Sequence, residues 1–176
     1  MSHLVLAAAL GIPDQRARAW FPHLYAAMVH YGITTKARQA AFLAQVGHES
    51  GRLRYVSEIW GPTPAQARYE GRADLGNTQS GDGFRYRGRG LLQITGRANY
   101  RSLSRRLGVD FEANPELLAD FKWAAMSAGD YWDSRKLNAI ADAGDFERLT
   151  RKINGGLNGY ADRLKLWAMC KEAVGA

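Results

Sequence analysis

Apolar residues recur along this chain mostly at three- and four-residue spacing, and strict alternation is rare, so the pattern predicts a mainly α protein. The apolar run 4–12 could serve as a core helix or as the hydrophobic part of a secretion signal. No basic segment precedes it and no cleavage site is evident, which favours the core helix and synthesis in a cytoplasm without a cleaved signal peptide. Asp14 can cap a first helix, and Pro22, suited to a first helical turn, predicts a break before 24–31. Thr34 or Thr35 opens a helix over 36–50, which Gly51 stops. Asn114-Pro115-Glu116 signals the start of a long helix with Leu117, Phe121, Ala124, Ala128 and Tyr131 on one face. Asp145 opens a shorter helix carrying Phe146, Leu149 and Ile153 to a stop at Gly155-Gly156, and a last helix runs from about 161 to 174.

The middle of the chain breaks this pattern. Residues 61–90 are rich in glycine, hold Pro62 and Pro64, and show no sustained apolar period; long irregular segments in compact domains are usually functional or mobile. Near their end Phe84-Arg85-Tyr86-Arg87-Gly88-Arg89 alternates with period two, which predicts a short strand or hairpin arm.

Composition narrows the class. At 176 residues and 46% hydrophobic the chain can bury one good core, so a single domain over 1–176 is expected, with a smaller lobe at approximately 61–95. No segment reaches the roughly 18 uncharged apolar residues of a membrane-spanning helix, so no stable membrane insertion is expected. One cysteine cannot form an internal disulfide, and Cys170, a turn from Leu166 and Trp167, reads as a buried small hydrophobe. The net charge of +7, with Arg outnumbering Lys 18 to 6, draws the surface to polyanions: nucleic acids, anionic membranes, teichoic acids or peptidoglycan carboxylates.

Candidate chemistry starts at Glu49. Phe42 and Val46 lie seven and three residues before it on the 36–50 helix, so its carboxylate continues an apolar stripe. Such a setting disfavours an ionised carboxyl and suits a general acid; the structural alternative is a helix-end Glu paired with Arg52 or Arg54. Glu58, beyond Gly51 in a polar, Arg-bearing stretch, suits a carboxylate that stays ionised, or else merely a partner for a neighbouring Arg. Two carboxyls in opposed environments are what glycoside cleavage uses, one to protonate the leaving oxygen and the other to activate water or attack carbon. A second constellation is Tyr86-Arg87-Gly88-Arg89-Gly90-Leu91-Leu92-Gln93-Ile94-Thr95 with Asn99-Tyr100. Its glycines allow close backbone approach, and Gln93, Thr95 and Asn99 offer neutral donors and acceptors of the kind sugars require; a tight turn into a helix with Tyr100, Leu103 and Leu107 inside explains the same residues structurally.

Taken in order, Gly47-His48-Glu49-Ser50-Gly51, Glu58, the 86–95 segment with Asn99-Tyr100, Ile153-Asn154-Gly155-Gly156 and Asp162-Arg163 resemble the signature of glycoside hydrolase family 19, over about 37–163. The short chain without a separate cell-wall-binding module is similar to phage endolysins of the chitinase-like lysozyme type. The resemblance implies a lysozyme-like fold, a larger helical lobe and a smaller lobe flanking a glycan-binding groove. It implies Glu49 as catalytic acid and Glu58 as water-activating base of an inverting mechanism. It implies Tyr86, Gln93, Thr95, Asn99 and Asn154 as substrate-binding positions, Thr95 holding the nucleophilic water, and Arg163 as a basic residue near the base. Peptidoglycan glycan strands are the implied partner, with a separate pore protein (holin) for release, action on the wall in the periplasm, a monomeric state, and no cofactor or metal. Where chitinase-like segments continue with Asn-Tyr after the base, this chain has Ile59-Trp60-Gly61-Pro62-Thr63-Pro64, a departure that leaves open the outline of the sugar groove and which sugar it accepts, with chitin as the alternative substrate.

Other chemistries fit less well. His48-Glu49 would begin a zinc site only with a second His at position 52, which is Arg52; His3, His23 and His30 all precede the motif. Gly88-Arg89-Gly90 lacks the third glycine and the Gly-Lys-Ser/Thr of a phosphate loop. Ser50 has no nucleophile elbow. A nucleic-acid module is disfavoured because the basic residues are spread along the chain instead of gathered on one helix. A lytic transglycosylase would need Glu49 but not Glu58.

Overall fold

The computed structural model describes all 176 residues, and its regular elements are all helices. Ten α-helices follow in order: α1 (His3–Leu10), α2 (Asp14–His30), α3 (Lys36–Glu49), α4 (Pro64–Ala67), α5 (Asp82–Arg85), α6 (Arg97–Leu107), α7 (Phe121–Ser134), α8 (Leu137–Asp142), α9 (Phe146–Asn154) and α10 (Tyr160–Val174). Two 3-10 helices, Ala73–Leu75 and Pro115–Ala119, complete the set. The mainly α expectation holds, and the only β pairing is a pair of isolated bridges, Ser57 to Arg89 and Arg89 to Ile94. No helix is long and apolar enough to cross a membrane. The chain forms two compact units, Met1–Arg54 with Ala128–Ala176, and Tyr55–Ser127, the division falling inside α7.

The first unit is built by apolar packing. Ser2 caps α1 by accepting from the Val5 N–H, and Leu6, Ala9 and Leu10 of that helix are fully buried. Its partners are α2, α3 and α10, and α10 lies along α3. Thr35 accepts from the Arg38 N–H to start α3, and from Ala40 to Gly47 every residue of α3 is buried. Instead of presenting one apolar stripe, α3 is the central helix, apolar almost all round as such helices must be. Gly47 is part of the reason: a Cβ there would sit 2.7 Å from the Leu10 Cδ2 of α1. Phe42 meets the Trp132 ring edge-on at 5.3 Å, and Cys170 is buried with its thiol pushed up to about 12 by that burial.

The break expected at Pro22 does not occur. Trp20 before it and Leu24, Ala27 and Met28 after it are all buried along α2, and this shared burial outweighs the hydrogen bond that a proline cannot make. Asp14 is the first residue of α2, bonded to Arg18, and not its cap.

The second unit has shorter elements and a small core of Tyr86, Tyr100, Leu103, Phe111 and Leu118, against which Ile94, Leu107, Val109, Leu117 and Trp123 pack. Polar bonds complete it. Arg97 lies over the Tyr86 ring at 4.7 Å and pairs with the buried Asp82 at 2.5 Å and with Glu112 at 3.3 Å; Arg101 pairs with Glu112 at 2.7 Å. Two expectations fail here. The strand read from the alternation at 84–89 is instead α5 followed by a turn, because Asp82, locked to Arg97 and to the Gln79 N–H, starts a helical turn that the Tyr86 N–H closes onto the Asp82 carbonyl. The single long helix from 115 is interrupted at Asp120, which is extended (φ −68°, ψ 140°). Pro115 and Leu118, both buried, use the three-residue spacing of a 3-10 turn, and Phe121, expected on the apolar face, is exposed.

Candidate active site

Glu49 is the last residue of α3, and the chain leaves it along an unusual path. Gly51, Arg52 and Leu53 all have φ near +60°, a left-handed region that costs side-chain-bearing residues of order 1 kcal/mol or more each. Ser50 holds the turn: its buried hydroxyl donates to the Val46 carbonyl and accepts from the Leu53 N–H at 2.8 Å. Strain retained around one carboxylate is a pointer to function.

The surroundings of that carboxylate differ from the sequence expectation. Phe42 and Val46 are buried as read, but Glu49 itself is 25% exposed, and its Oε1 accepts from Nη2 of Arg163. Arg163, expected near the base, is therefore bound to the acid candidate. Its side chain is 2% exposed and each of its three nitrogens makes a bond: besides Nη2 to Glu49, Nη1 donates to Gln45 Oε1 and Nε to the Asn158 carbonyl. Gln45 in turn donates to Thr150 Oγ1, and Thr150 to the Phe146 carbonyl. A buried cation persists only when its donors are satisfied in this way. The recess is thus apolar on the helix side and cationic at the carboxylate, with Oε2 of Glu49 left without a protein partner. Beside it, the Tyr131 hydroxyl donates to the Ile153 carbonyl and is pushed above its ordinary range by burial and, to a lesser extent, by the Glu49 charge. Asn154, at the end of α9, keeps a buried Nδ2 with no hydrogen-bond partner. His48 has its Nδ1 2.6 Å from Asp162, and no group of three or more His, Cys, Asp or Glu stands together.

Glu58 lies in the second unit and is held by neutral donors, not by an arginine. Oε1 accepts from Gln66 Nε2 at 3.1 Å and from the Tyr69 hydroxyl at 3.5 Å; Oε2 accepts from the Gly88 N–H at 3.1 Å. The Glu58 N–H also donates to the Gly88 carbonyl, so base candidate and turn are clamped together. Gln66 is buried and fixed on both sides: its Oε1 accepts from the Gly61 and Thr63 N–H groups and its Nε2 also donates to the Ile59 carbonyl. Tyr69 is raised from its ordinary value by burial and then by the Glu58 charge.

Gly88 is the meeting point. A Cβ there would lie 2.5 Å from Gln93 Oε1 and 3.3 Å from Thr95 Oγ1, so only glycine lets these side chains approach the amide that binds Glu58. Gln93 has φ +52° and donates to the Gly90 carbonyl, Thr95 donates to the Gln93 carbonyl, and the exposed Asn99 donates to the Thr95 carbonyl. Glu58, Gln93 and Thr95 are thereby gathered as expected, with Asn99 one link away. Tyr86 is not: it is 1% exposed, its ring is in the core and its hydroxyl donates to the Glu112 carbonyl, so it has no face to offer a sugar. An aromatic group that the sequence reading passed over is closer to the base, with Trp60 5.4 Å from Phe84 and 6.2 Å from Tyr69.

Gln66, Tyr69 and Gln45 were not singled out from sequence, and Tyr131 was read only as part of an apolar helix face. A signal for Gln66 was present: Thr63-Pro64-Ala65-Gln66 is a capping box with proline at the first helical position, and both of its reciprocal bonds form. Gln45 is the one polar residue in a buried apolar helix segment, a position that demands partners.

No family model matches the chain. A glycosyl hydrolase family 19 domain-containing protein of Haemophilus influenzae is 36% identical over 163 residues, 77% of this chain and 80% of that protein. An endochitinase of Arabidopsis thaliana is 33% identical over 125 residues, covering 71% of this chain but only 42% of the plant protein. Among solved structures, chitinase C from Streptomyces griseus superposes with a TM-score of 0.77 at 27% identity, over 99% of this chain and 76% of the other. A bacterial family 19 chitinase does so with a TM-score of 0.74 at 26% identity, over 98% and 96%.

Proposed function

This chain belongs to glycosyl hydrolase family 19, and from that membership we propose that it hydrolyses the β-1,4 glycan backbone of bacterial peptidoglycan in a single inverting step, with Glu49 as acid and Glu58 as base. The observation that carries the mechanism is the setting of Glu58. A carboxylate has about four lone-pair positions; three of those on Glu58 are taken by the neutral donors Gln66, Tyr69 and Gly88, and one, on Oε2, is left for a water. A transglycosylase has no use for a carboxylate built in this way.

On Glu49, Arg163 holds Oε1, so the proton to be donated belongs on Oε2. In the reaction that proton passes to the glycosidic oxygen as its bond to the anomeric carbon breaks. Water attacks the carbon from the opposite face and surrenders a proton to Glu58. Thr95 Oγ1, beside Gly88, is suited to hold this water, and Gln93, Asn99 and Asn154 to bind sugar hydroxyl and acetamido groups.

Glu49→Gln is expected to lower lytic activity by roughly 10²–10⁴-fold with the fold intact, and Glu58→Gln by a comparable factor. Loss with Glu49→Gln alone would turn the reading to a transglycosylase. Proton NMR of the first product should show the α anomer from a β-linked glycan; a β product excludes single-step inversion.

Chitin is the second substrate reading, favoured by the relatives named as chitinases. The charge of +7 favours the wall polymer, since chitin is uncharged. Mass spectrometry of digested peptidoglycan and of chitin oligomers, with the reducing-end sugar identified, separates the two. An endolysin acting in the periplasm after passage through a separate pore protein extends the same proposal; expression inside a bacterial cell should lyse it only when a pore protein is co-expressed.

A further inference from the structure

Arg85, Arg87 and Arg89 occupy alternate positions of one short segment, and no step of the hydrolysis uses them. All three line one pocket of about 590 Å³ in the second unit, together with Phe84, Pro115 and Glu116. Arg89 is only 5% exposed; its Nη1 donates to the Arg85 carbonyl and the Tyr100 hydroxyl, while Nε and Nη2 have no acceptor in the protein. The Arg87 guanidinium lies 4.2 Å over the Phe84 ring and bonds only the Phe84 carbonyl. Arg85 uses Nη2 on the Ala113 and Glu112 carbonyls and Nε on the Tyr86 hydroxyl, which leaves Nη1 without an acceptor.

The contrast with other arginines of the same unit is sharp. Arg97, Arg101 and Arg72 each have a carboxylate at 2.7 Å or less, whereas no carboxylate is within ion-pair distance of the three in the pocket. Burial, and then the charge of Arg89, push the Arg87 guanidinium below its ordinary value. Three crowded cations with spare planar donors form a site that an anion completes, and the guanidinium fork fits a carboxylate in two-point fashion.

We propose that this pocket binds a carboxylate of the peptide stems carried by peptidoglycan, a contact that unsubstituted chitin cannot make. The position fits: Gly88, between Arg87 and Arg89, is the residue whose N–H binds Glu58, so the pocket borders the turn that holds the base by a hydrogen bond. The inference rests on the peptidoglycan reading for its substrate, and the test separates the two.

Two soluble substrates are compared, stem-bearing glycan strands and the same strands stripped of peptide by an amidase, as the ratio of their kcat/KM values. Arg87→Gln should lower that ratio about tenfold, the loss of one charge-assisted contact. Glu116→Gln, which removes the one carboxylate of the lining, should raise it. A purely structural role for Arg87 would depress both substrates equally and leave the ratio unmoved, which overturns the proposal. Binding of the free stem tetrapeptide, followed by calorimetry on the wild type and both variants, should weaken in Arg87→Gln and strengthen in Glu116→Gln. Should the wild type cut neither strand, the peptidoglycan reading fails, and the tetrapeptide arm still decides the pocket: absence of binding, or binding indifferent to Arg87, rejects it.

Discussion

The two units hold their carboxylates by different means. In the first, Glu49 ends a helix buried on every side, and its Arg163 partner is sealed among Gln45, Thr150 and backbone carbonyls. In the second, Glu58 lies outside any helix and owes its place to three hydrogen bonds from a turn amide and two side chains. Apolar packing is collective and tolerant of the loss of any one polar bond, whereas a hydrogen-bonded frame depends on each member. The acid is thus set by the stability of its unit, and the base by a few specific contacts.

The largest effect should follow from damage to the first unit's packing. Phe42→Ala empties the space against Trp132 and should cost about 3–5 kcal/mol in urea unfolding, with activity at low temperature retained by the molecules still folded. Asp82→Asn is the counterpart in the second unit. It leaves the Arg97 guanidinium, 15% exposed, without its nearest charge and should cost about 3 kcal/mol. The same pair makes the second unit sensitive to acid. Asp82 is held below its ordinary value chiefly by its bond to Arg97, and Glu112 chiefly by its bond to Arg101. Their stabilisation is complete above the unfolded carboxylate range, about 4 to 4.5, and is lost as pH falls through the lowered folded values. The first unit's comparable pair, Arg38 with Asp142, is 26% and 39% exposed and so contributes less. Hydrogen exchange at pH 6 and pH 3 should therefore show protection lost first at α6 and the turn of 86–96; equal loss in both units would refute the contrast.

Sequence legibility divides along the same line. In the first unit the caps Thr35 and Asp145 and the stop at Gly155 open and close helices within a residue of their expected bounds, because local capping and burial agree. Pro22 misled because a local rule was overruled by burial on both sides of it. In the second unit the alternation at 84–89 made no strand: Phe84 and the three arginines line a pocket, and only Tyr86 fills the core. Glu49 could be found from its helix, yet its partner Arg163 lies 114 residues away, and no spacing rule links residues so far apart. Segment 59–83 hid Tyr69 because its bond to Glu58 has no repeat to detect, whereas Gln66 carried a local signal in the capping box at 63–66.

If the frame around Glu58 is a set of individual bonds, its members should rank by geometry. Gln66→Ala removes a buried side chain that bonds Glu58 at 3.1 Å, the Ile59 carbonyl at 2.8 Å and two backbone N–H groups, so both base and loop loosen. A fall in kcat of about tenfold is expected, with a stability loss of only about 1–2 kcal/mol. Tyr69→Phe is the smallest change. Its bond to Glu58 is long, at 3.5 Å, and Glu58 retains Gln66 and Gly88, so kcat should fall only about two- to threefold with KM little altered. A loss from Tyr69→Phe as great as that from Gln66→Ala would mean that the hydroxyl acts on substrate or water directly, and that the base depends on its frame less than the bonds imply.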